Sequence, residues 1–527
     1  MDKKWWTLLA VCTGSFMLLL DVTVVTVAQP AIQTGLHASF SDVQWTLDAY
    51  ALTLAVLLMT SGVLADRFGR RRVFATGVVV FTLGSLLCGL AQDPLMLIVS
   101  RSGQGVGGAM MFATALALLG HSFRGKDRGT AFGVWGTIAG VATALGPSLG
   151  GLITTNWDWR GIFLVNVPIG VFALVVTLWR VEESRSPKPA PLDWAGFGLL
   201  TGGLVAGIYG LIRASETSWS NAGVIACLAA GVALLAAFVV VEGKIANPMF
   251  SLSLLRVPTF AGGSIAAFAM NGSLYAMMLY LTVYLEDILG YSAQGAGLRI
   301  SIITLATLVV SNTAGTLSER IAVRWLIGPG LLLVGAGLLL MAGVSGTSSW
   351  THLIPGFIVA GLGSGLVNPP LASTAIGVVP PQRSGMASGA NTTFRQIGIA
   401  TGIAALGTIF AAQLQGHLAT SLPRSLAGSA AAISVQVRQG TIGQLLGSLP
   451  AAARPATQVA LRSSFAAAFN DLLYVTAGLA LAGGVCALLL IRTKDFVKRE
   501  HAPAAPAAPS GAGAPAAGEA GKAQVAH

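Results

Sequence analysis

Long apolar runs separated by short polar stretches repeat along nearly the whole chain, and each is about the length of a bilayer-crossing helix, ~20 residues. Fourteen such runs fall at 5–27, 44–65, 73–92, 95–118, 129–152, 162–181, 192–213, 221–241, 258–284, 294–317, 325–345, 352–375, 386–412 and 465–491. The first apolar run exceeds a signal-peptide core and has no cleavage site followed by a polar mature chain, so it reads as a span. Connections are short except at 413–464, an Ala/Ser/Gly/Gln-rich stretch with four arginines and no acid. It reads as a flexible external loop, partly helical. Residues 493–527 read as a disordered cytoplasmic tail, because Pro, Ala and Gly cannot build a core there.

Composition sharpens this picture. Of the 527 residues, 54% are hydrophobic and only 10% charged, with mean hydropathy +0.74. A soluble domain carries about 25% charge, so most of this surface faces lipid. The net charge of +11 is distributed by topology: 22 of the 31 Lys and Arg fall on the side that holds both ends of the span series. That side is the cytoplasm by the positive-inside rule. Basicity therefore implies no nucleic-acid partner. Four isolated cysteines and six scattered histidines offer no metal site and no disulfide spacing.

The two ends of the chain repeat each other. Gly62-x-Leu64-Ala65-Asp66-Arg67 returns as Gly315-x-Leu317-Ser318-Glu319-Arg320; Arg128 and Gly133 return as Arg383 and Gly389; Gly105-x-Gly107 returns as Gly363-x-Gly365. The offsets leave room for two extra spans. The expected architecture is all-α with fourteen transmembrane helices: a six-helix bundle over 1–181, two inserted helices within 182–256, and a second six-helix bundle over 257–492.

Motifs then point to a mechanism. Between the second and third spans runs Gly62-Val-Leu-Ala-Asp66-Arg67-Phe-Gly69-Arg70-Arg71-Arg72. Its glycines permit close approach and its charges can form ion pairs in one conformation and release them in another, so it reads as a gating loop. This pattern resembles motif A of the major facilitator superfamily. Arg101-Ser-Gly-Gln104-Gly105-Val-Gly107-Gly108 is similar to that family's motif B, and Gly133, Gly146-Pro147 and Gly150-Gly151 resemble its antiporter motif C. Leu20-Asp21-Val22-Thr23-Val24-Val25, Trp45-x-x-Asp48-x-Tyr50, Trp159-Arg160 through Asn166-Val-Pro168-Ile-Gly170, and Phe394-Arg395-Gln396-x-Gly398 are similar to the fourteen-helix drug:proton antiporters. The resemblance implies proton-coupled export of small lipophilic molecules from the bacterial cytoplasm by a monomeric, cofactor-free carrier.

Ionisable groups at bilayer depth are functional candidates in their own right, since inserting one costs about 2.5–3.5 kcal/mol. Asp21, Asp48 and Arg101 lie at similar depth, roughly 6–9 Å below the external helix ends at 1.5 Å per residue. They are the expected proton-coupling residues, with Asp21 the main site and Arg101 its tuner: a nearby cation favours the ionised carboxyl, desolvation the neutral one. A static Asp21–Arg101 pair that merely ties two helices is the structural alternative. Arg395 is a second charge inside a span, with Asp471 as one candidate partner, and with Asn271, Asn368 and Asn391 it marks the expected substrate cavity. Pro147 and its flanking glycines suit a bent, closely packed helix.

Several matches carry no weight. Gly103-x-Gly105-x-x-Gly108 has the dinucleotide spacing but sits inside an apolar span with no preceding strand. No GxxxxGK[ST] sequence is present, so the chain itself is no ATP-driven pump. No nucleophile/base pair or metal cluster suggests an enzyme. The alternative within transport is a proton-coupled carrier of one nutrient or siderophore.

Overall fold

The computed structural model describes every residue except 1, 39, 124–125, 186–192, 217–218, 246–247, 249, 319, 381–382, 424–425, 427–428, 439–446, 448–449, 451–452 and 498–527. Among the described residues there is no strand, and fourteen helices are long and apolar enough to cross a membrane. The first bundle contains α1 (Lys3–Gly35), α2 (Phe40–Phe68), α3 (Arg70–Gly89), α4 (Pro94–Ser122), α5 (Lys126–Asn156) and α6 (Gly161–Arg180). Two inserted helices follow, α7 (Trp194–Glu216) and α8 (Ala222–Glu242). The second bundle contains α9 (Pro258–Glu286), α10 (Ala293–Leu317), α11 (Arg324–Met341), α12 (Ile354–Gly377), α13 (Ser384–Ser421) and α14 (Arg454–Leu490). The six-two-six order expected from the repeat is the order found.

Local chemistry places the helix starts. Asp93 accepts a hydrogen bond from Met96 N at 2.9 Å ahead of Pro94 in the first turn of α4, and Asn221 and Ser292 cap α8 and α10 in the same way. Gly69 turns the chain from α2 into α3 at φ +109°, a conformation disfavoured for any residue with a Cβ. One π-helical segment, Asn271–Tyr275, interrupts α9, and a second, Tyr284–Ile288, runs past its end.

Each bundle has its own apolar core. In the second it runs from Met270 and Tyr284 through Leu331 and Phe357 to Phe465 and Phe469. In the first it is split into a cytoplasmic part around Phe74, Phe81 and Phe132 and an external part around Val24, Trp159 and Phe163. The inserted pair packs on itself where an added Cβ on Gly231 would lie 2.8 Å from Gly207 N. Leu200, Leu204 and Ile208 of α7 then lie against Ala55, Val56 and Met59 of α2 and Met386, Ala387 and Ala390 of α13. The inserted helices thus cover a seam between the two bundles.

Two boundaries differ from the sequence reading. The external loop is shorter than 413–464: α13 continues to Ser421, α14 begins at Arg454, and a short helix spans Ala430–Arg438. Leu414, Leu418, Ile433, Val437, Ala460 and Leu461 are buried in the second core, so one face of each extension is apolar although its average is polar. The tail also does not begin at 493. Thr493–Asp495 forms a helical turn, and the Asp495 carboxylate accepts from Thr259 N at 3.2 Å and Thr259 Oγ1 at 2.7 Å, capping the start of α9. Residues 498–527 lie outside the described set.

Candidate functional site

The interior of the first bundle holds a buried charge pair. Asp21 of α1 and Arg101 of α4 are 1% and 0% exposed, and Arg101 Nη1 lies 2.6 Å from Asp21 Oδ2. The other carboxylate oxygen accepts from Gln104 Nε2 at 2.9 Å and Asn166 Nδ2 at 3.0 Å. Arg101 also donates to Gln104 Oε1 at 2.8 Å and to the Thr46 carbonyl at 3.1 Å, and its guanidinium lies 4.2 Å from the centre of the Tyr50 ring. Three helices, α1, α4 and α6, meet on one carboxylate. Glycines allow this closeness: an added Cβ on Gly105 would lie 2.6 Å from Tyr50 O, and one on Gly84 2.9 Å from Gln104 N.

Asp48 does not join this network. Thr46 and Tyr50 define the side of α2 that faces Arg101. Asp48, two residues from each on a helix of 3.6 residues per turn, projects from the opposite side and is half-buried. Equal depth therefore did not mean a shared face. The partners that sequence reasoning passed over are Asn166 and Gln104. Both stand in motifs quoted above, but a neutral polar residue in an apolar span reads as helix-packing glue, and nothing in the sequence separates the two roles.

A different polar cluster occupies the second bundle. Arg395 of α13 donates through Nε to Asn391 Oδ1 at 3.3 Å and through Nη1 to Asn368 Oδ1 of α12 at 3.1 Å. Asn368 in turn donates to the Tyr275 hydroxyl of α9 at 3.3 Å and to Ser364 Oγ at 3.1 Å. Asn368 and Asn391 thus meet Arg395 as expected. Asn271 does not; it donates back to Ala267 O of its own helix at 2.8 Å. Asp471 is not the partner of Arg395 either. It pairs with His417 at 3.3 Å, where both side chains are over a third exposed.

At the cytoplasmic ends the bundles touch through the gating loop. Asp66 binds Arg70 at 2.8 Å and accepts from Gly385 N at 3.0 Å and Met386 N at 2.9 Å, the first free backbone donors of α13. A carboxylate there meets both unpaired N–H groups and the positive end of the helix dipole. Gly62 lies backbone to backbone against Gly385, the carbonyl carbon of which would be 2.8 Å from an added Cβ. The repeat holds in space: a Cβ on Gly315 of α10 would lie 2.5 Å from Gly129 O and 3.1 Å from Gly133 Cα of α5. Glu183, unnoticed in the sequence, accepts from Arg71 N at 3.1 Å and Arg72 N at 3.2 Å and so caps α3. Arg67 lies over the Phe68 ring, and Arg71 reaches the Leu178 carbonyl.

In α5, Gly146 and Gly150 press against Thr23 and Val24 of α1, with Val24 O 3.0 Å from an added Cβ on Gly150. Gly151 has nothing within 4 Å of an added Cβ and so takes no part in that contact. Pro147 sits within the helix between them.

The description of the Major Facilitator Superfamily matches residues 11–403. The multidrug resistance protein Stp of Mycobacterium tuberculosis (strain CDC 1551 / Oshkosh) is 36% identical over 421 residues, covering 80% of this chain and 78% of its own. The tetracenomycin C resistance and export protein of Streptomyces glaucescens is 32% identical over 507 residues, covering 95% and 94%. Among solved structures, the human organic anion transporter MFSD10 (TETRAN) shares the fold at a TM-score of 0.60 and 14% identity, over 92% of this chain and 100% of that one. A buried ion pair inside one bundle, glycine seams repeated between two, and sequence identity sustained across both converge: this chain is a multi-pass protein of the bacterial inner membrane and belongs to the Major Facilitator Superfamily.

Proposed function

We propose that the protein exports small lipophilic drugs, dyes or secondary metabolites across the cytoplasmic membrane in exchange for protons, by alternating access. The observation that carries this reading is the Asp21–Arg101 pair, a titratable carboxylate held at 2.6 Å inside a bundle with no exposure to water. Relatives named for multidrug resistance and for antibiotic export support the substrate class.

The residues suggest how coupling works. The ionised Asp21 carboxylate accepts three N–H donors, from Arg101, Gln104 and Asn166. A proton on Asp21 cancels its attraction for Arg101 and removes one acceptor position, so α1, α4 and α6 lose their common anchor. Proton entry thereby becomes a change in packing among three helices. Burial holds the carboxylate out of reach in the conformation seen, and movement of α1 against α4 is the step that opens it.

The cytoplasmic seam supplies the gate. Asp66 on the start of α13, together with Gly62 against Gly385 and Gly315 against Gly129, closes the cytoplasmic side. We read this as the outward-facing state, and the opposite state requires Asp66 to release α13. Asp48, on the far side of α2 from Arg101, is outside the coupling pair in this scheme.

Ethidium accumulation into inside-out vesicles under a proton gradient, wild type against Asp21→Asn at equal expression, tests the reading. Exchange predicts uptake that collapses with an uncoupler and with the substitution. Equal uptake by the variant would move the proton site elsewhere. No uptake of ethidium or of a panel of unrelated dyes, with uptake of one nutrient or siderophore instead, would favour the specific carrier.

A further inference from the structure

An arginine faces the interior of each bundle, Arg101 fully buried and Arg395 half-buried, and among the described residues only Arg101 has a counter-charge. Arg101 has Asp21 at 2.6 Å. Around Arg395, among the described residues, the hydrogen-bond partners are two amide oxygens, Asn391 Oδ1 and Asn368 Oδ1, and the Tyr275 phenol is an ionisable neighbour. Its third nitrogen, Nη2, is buried and has no hydrogen-bond partner among the described residues. The sequence explains the lack of an acid: from Arg320 to Asn470 the chain contains no Asp or Glu at all, so α11, α12 and α13 have no carboxylate to offer.

This arrangement is costly unless something compensates it. A guanidinium keeps its charge at any physiological pH, and an unpaired charge in a membrane interior is strongly disfavoured. Amide dipoles orient the fork but cannot neutralise it. What the arrangement does provide is a pre-aimed cation: Nε and Nη1 are pinned by Asn391 and Asn368, which fixes the guanidinium plane and leaves Nη2 to be satisfied from outside the chain. Tyr275 adds a hydroxyl: its oxygen accepts from Asn368, and an O–H group can donate as well as accept. Tyr275 belongs to the π-helical segment Asn271–Tyr275, a departure from α-helical geometry that occurs often at functional sites. Tyr275, Asn368 and Arg395 are each half-buried, so the cluster opens on one side. The cluster sits near the seam between the bundles: Pro369, next to Asn368, would lie 3.5 Å from a Cβ on Gly136 of α5 in the opposite bundle.

We propose that Arg395, held by Asn368 and Asn391 and joined by the Tyr275 hydroxyl, is a subsite for a singly charged lipophilic acid, a carboxylate or ionised enol, among the exported compounds. The subsite rests on the exporter reading for its role in transport, but its binding does not depend on transport. Carboxylate geometry suits the guanidinium fork, which can donate two parallel N–H bonds to one carboxyl group. The ligand brings the missing negative charge, and the charge leaves again with the ligand. A permanent protein carboxylate in the same place would compete with it.

The probes are 2-naphthoate, its neutral analogue 2-naphthamide, and ethidium, tested by equilibrium dialysis against the full-length protein in detergent. Wild type should prefer naphthoate over naphthamide by about 10- to 100-fold, the range of a charge-assisted hydrogen bond made or lost. Arg395→Gln should abolish that preference and Arg395→Lys should keep part of it, while both variants should still bind ethidium, Arg395→Gln at least as tightly as wild type because a repelling cation is gone. Tyr275→Phe should weaken naphthoate a few-fold and leave naphthamide unchanged. Equal binding of acid and amide by wild type overturns the proposal. So does an Arg395→Gln variant that loses all three probes together, since that is the mark of a structural arginine. Proton-driven uptake in vesicles separates the two readings. An acid preference lost in Arg395→Gln, without any coupled uptake, keeps the subsite and removes the exporter; ethidium export with no acid preference does the reverse.

Discussion

The two bundles share a skeleton and differ in their interiors. Gly62 against Gly385 in one seam is matched by Gly315 against Gly129 in the other, so the repeat seen in the sequence is also a repeat of contacts. The polar interiors do not repeat. The position of Arg395 in the first bundle is Ala139, and that of Arg101 in the second is Val359. Backbone approach at a seam leaves no room for side-chain change, whereas side chains within a bundle can change together with their neighbours. The first interior therefore holds a closed, self-neutralised pair and the second an open cation. The first is proposed to exchange a proton, and the second to meet a ligand.

The largest expected effect comes from breaking the closed pair. Asp21→Asn leaves Arg101 buried without its counter-charge, and removal of one partner of a buried pair typically costs about 3–5 kcal/mol. Coupled uptake should collapse with the loss of the carboxylate that holds α1, α4 and α6 together, and the melting temperature should drop. Arg395→Gln should behave oppositely toward stability. It gives up two bonds to neutral amides, about 1 kcal/mol each, and relieves an uncompensated charge, so its melting temperature should stay within a few degrees of wild type or rise. Thermal unfolding of both variants in detergent checks this. Equal losses in the two would erase the distinction between closed pair and open cation.

Next in size is the latch. Asp66→Asn removes the charge that binds Arg70 and the α13 terminus, while retaining one amide oxygen as acceptor. Capping and dipole interactions of this kind are worth about 1–2 kcal/mol, so the ratio of closed to open cytoplasmic seam should fall roughly tenfold. Spin labels at Phe68 and Arg320, on the cytoplasmic ends of opposite bundles, should show a longer distance in the variant. An unchanged distance distribution would mean that glycine packing alone holds the seam.

Length and hydropathy made the fourteen spans legible, because a bilayer imposes both on any helix that crosses it. They failed at the external ends of α13 and α14, where apolar residues such as Leu414, Leu418 and Leu461 recur along one face within a polar average. Charge in an apolar span was equally legible, and so Asp21, Arg101 and Arg395 stood out. What they touch was not. Asp48 shared their depth, but the side of α2 that meets α4 is fixed by packing, through Gly105 against Tyr50. Asn166 and Gln104 look like any buried amide until α6 and α4 are brought to α1.

The smallest effects test the seams themselves, and they turn on three glycines that the sequence treats alike. An alanine at Gly62 would bring its Cβ into the Gly385 carbonyl, and one at Gly315 would come within 2.5 Å of the Gly129 carbonyl. Neither obstacle is a flexible side chain, so the helices must separate by some tenths of an ångström, a strain of about 1–3 kcal/mol by analogy with overpacked cores. Because the two contacts are related by the repeat, Gly62→Ala and Gly315→Ala should slow ethidium export by similar factors, several-fold each. Gly151→Ala meets open space and should export at the wild-type rate, despite its place in the antiporter motif. Initial export rates of the three variants at matched expression decide the matter. A large defect in Gly151→Ala would show that α5 closes against another surface during the cycle. Unequal defects at Gly62 and Gly315 would show that one seam opens further than the other, and the likeness of the bundles would then end at their static contacts.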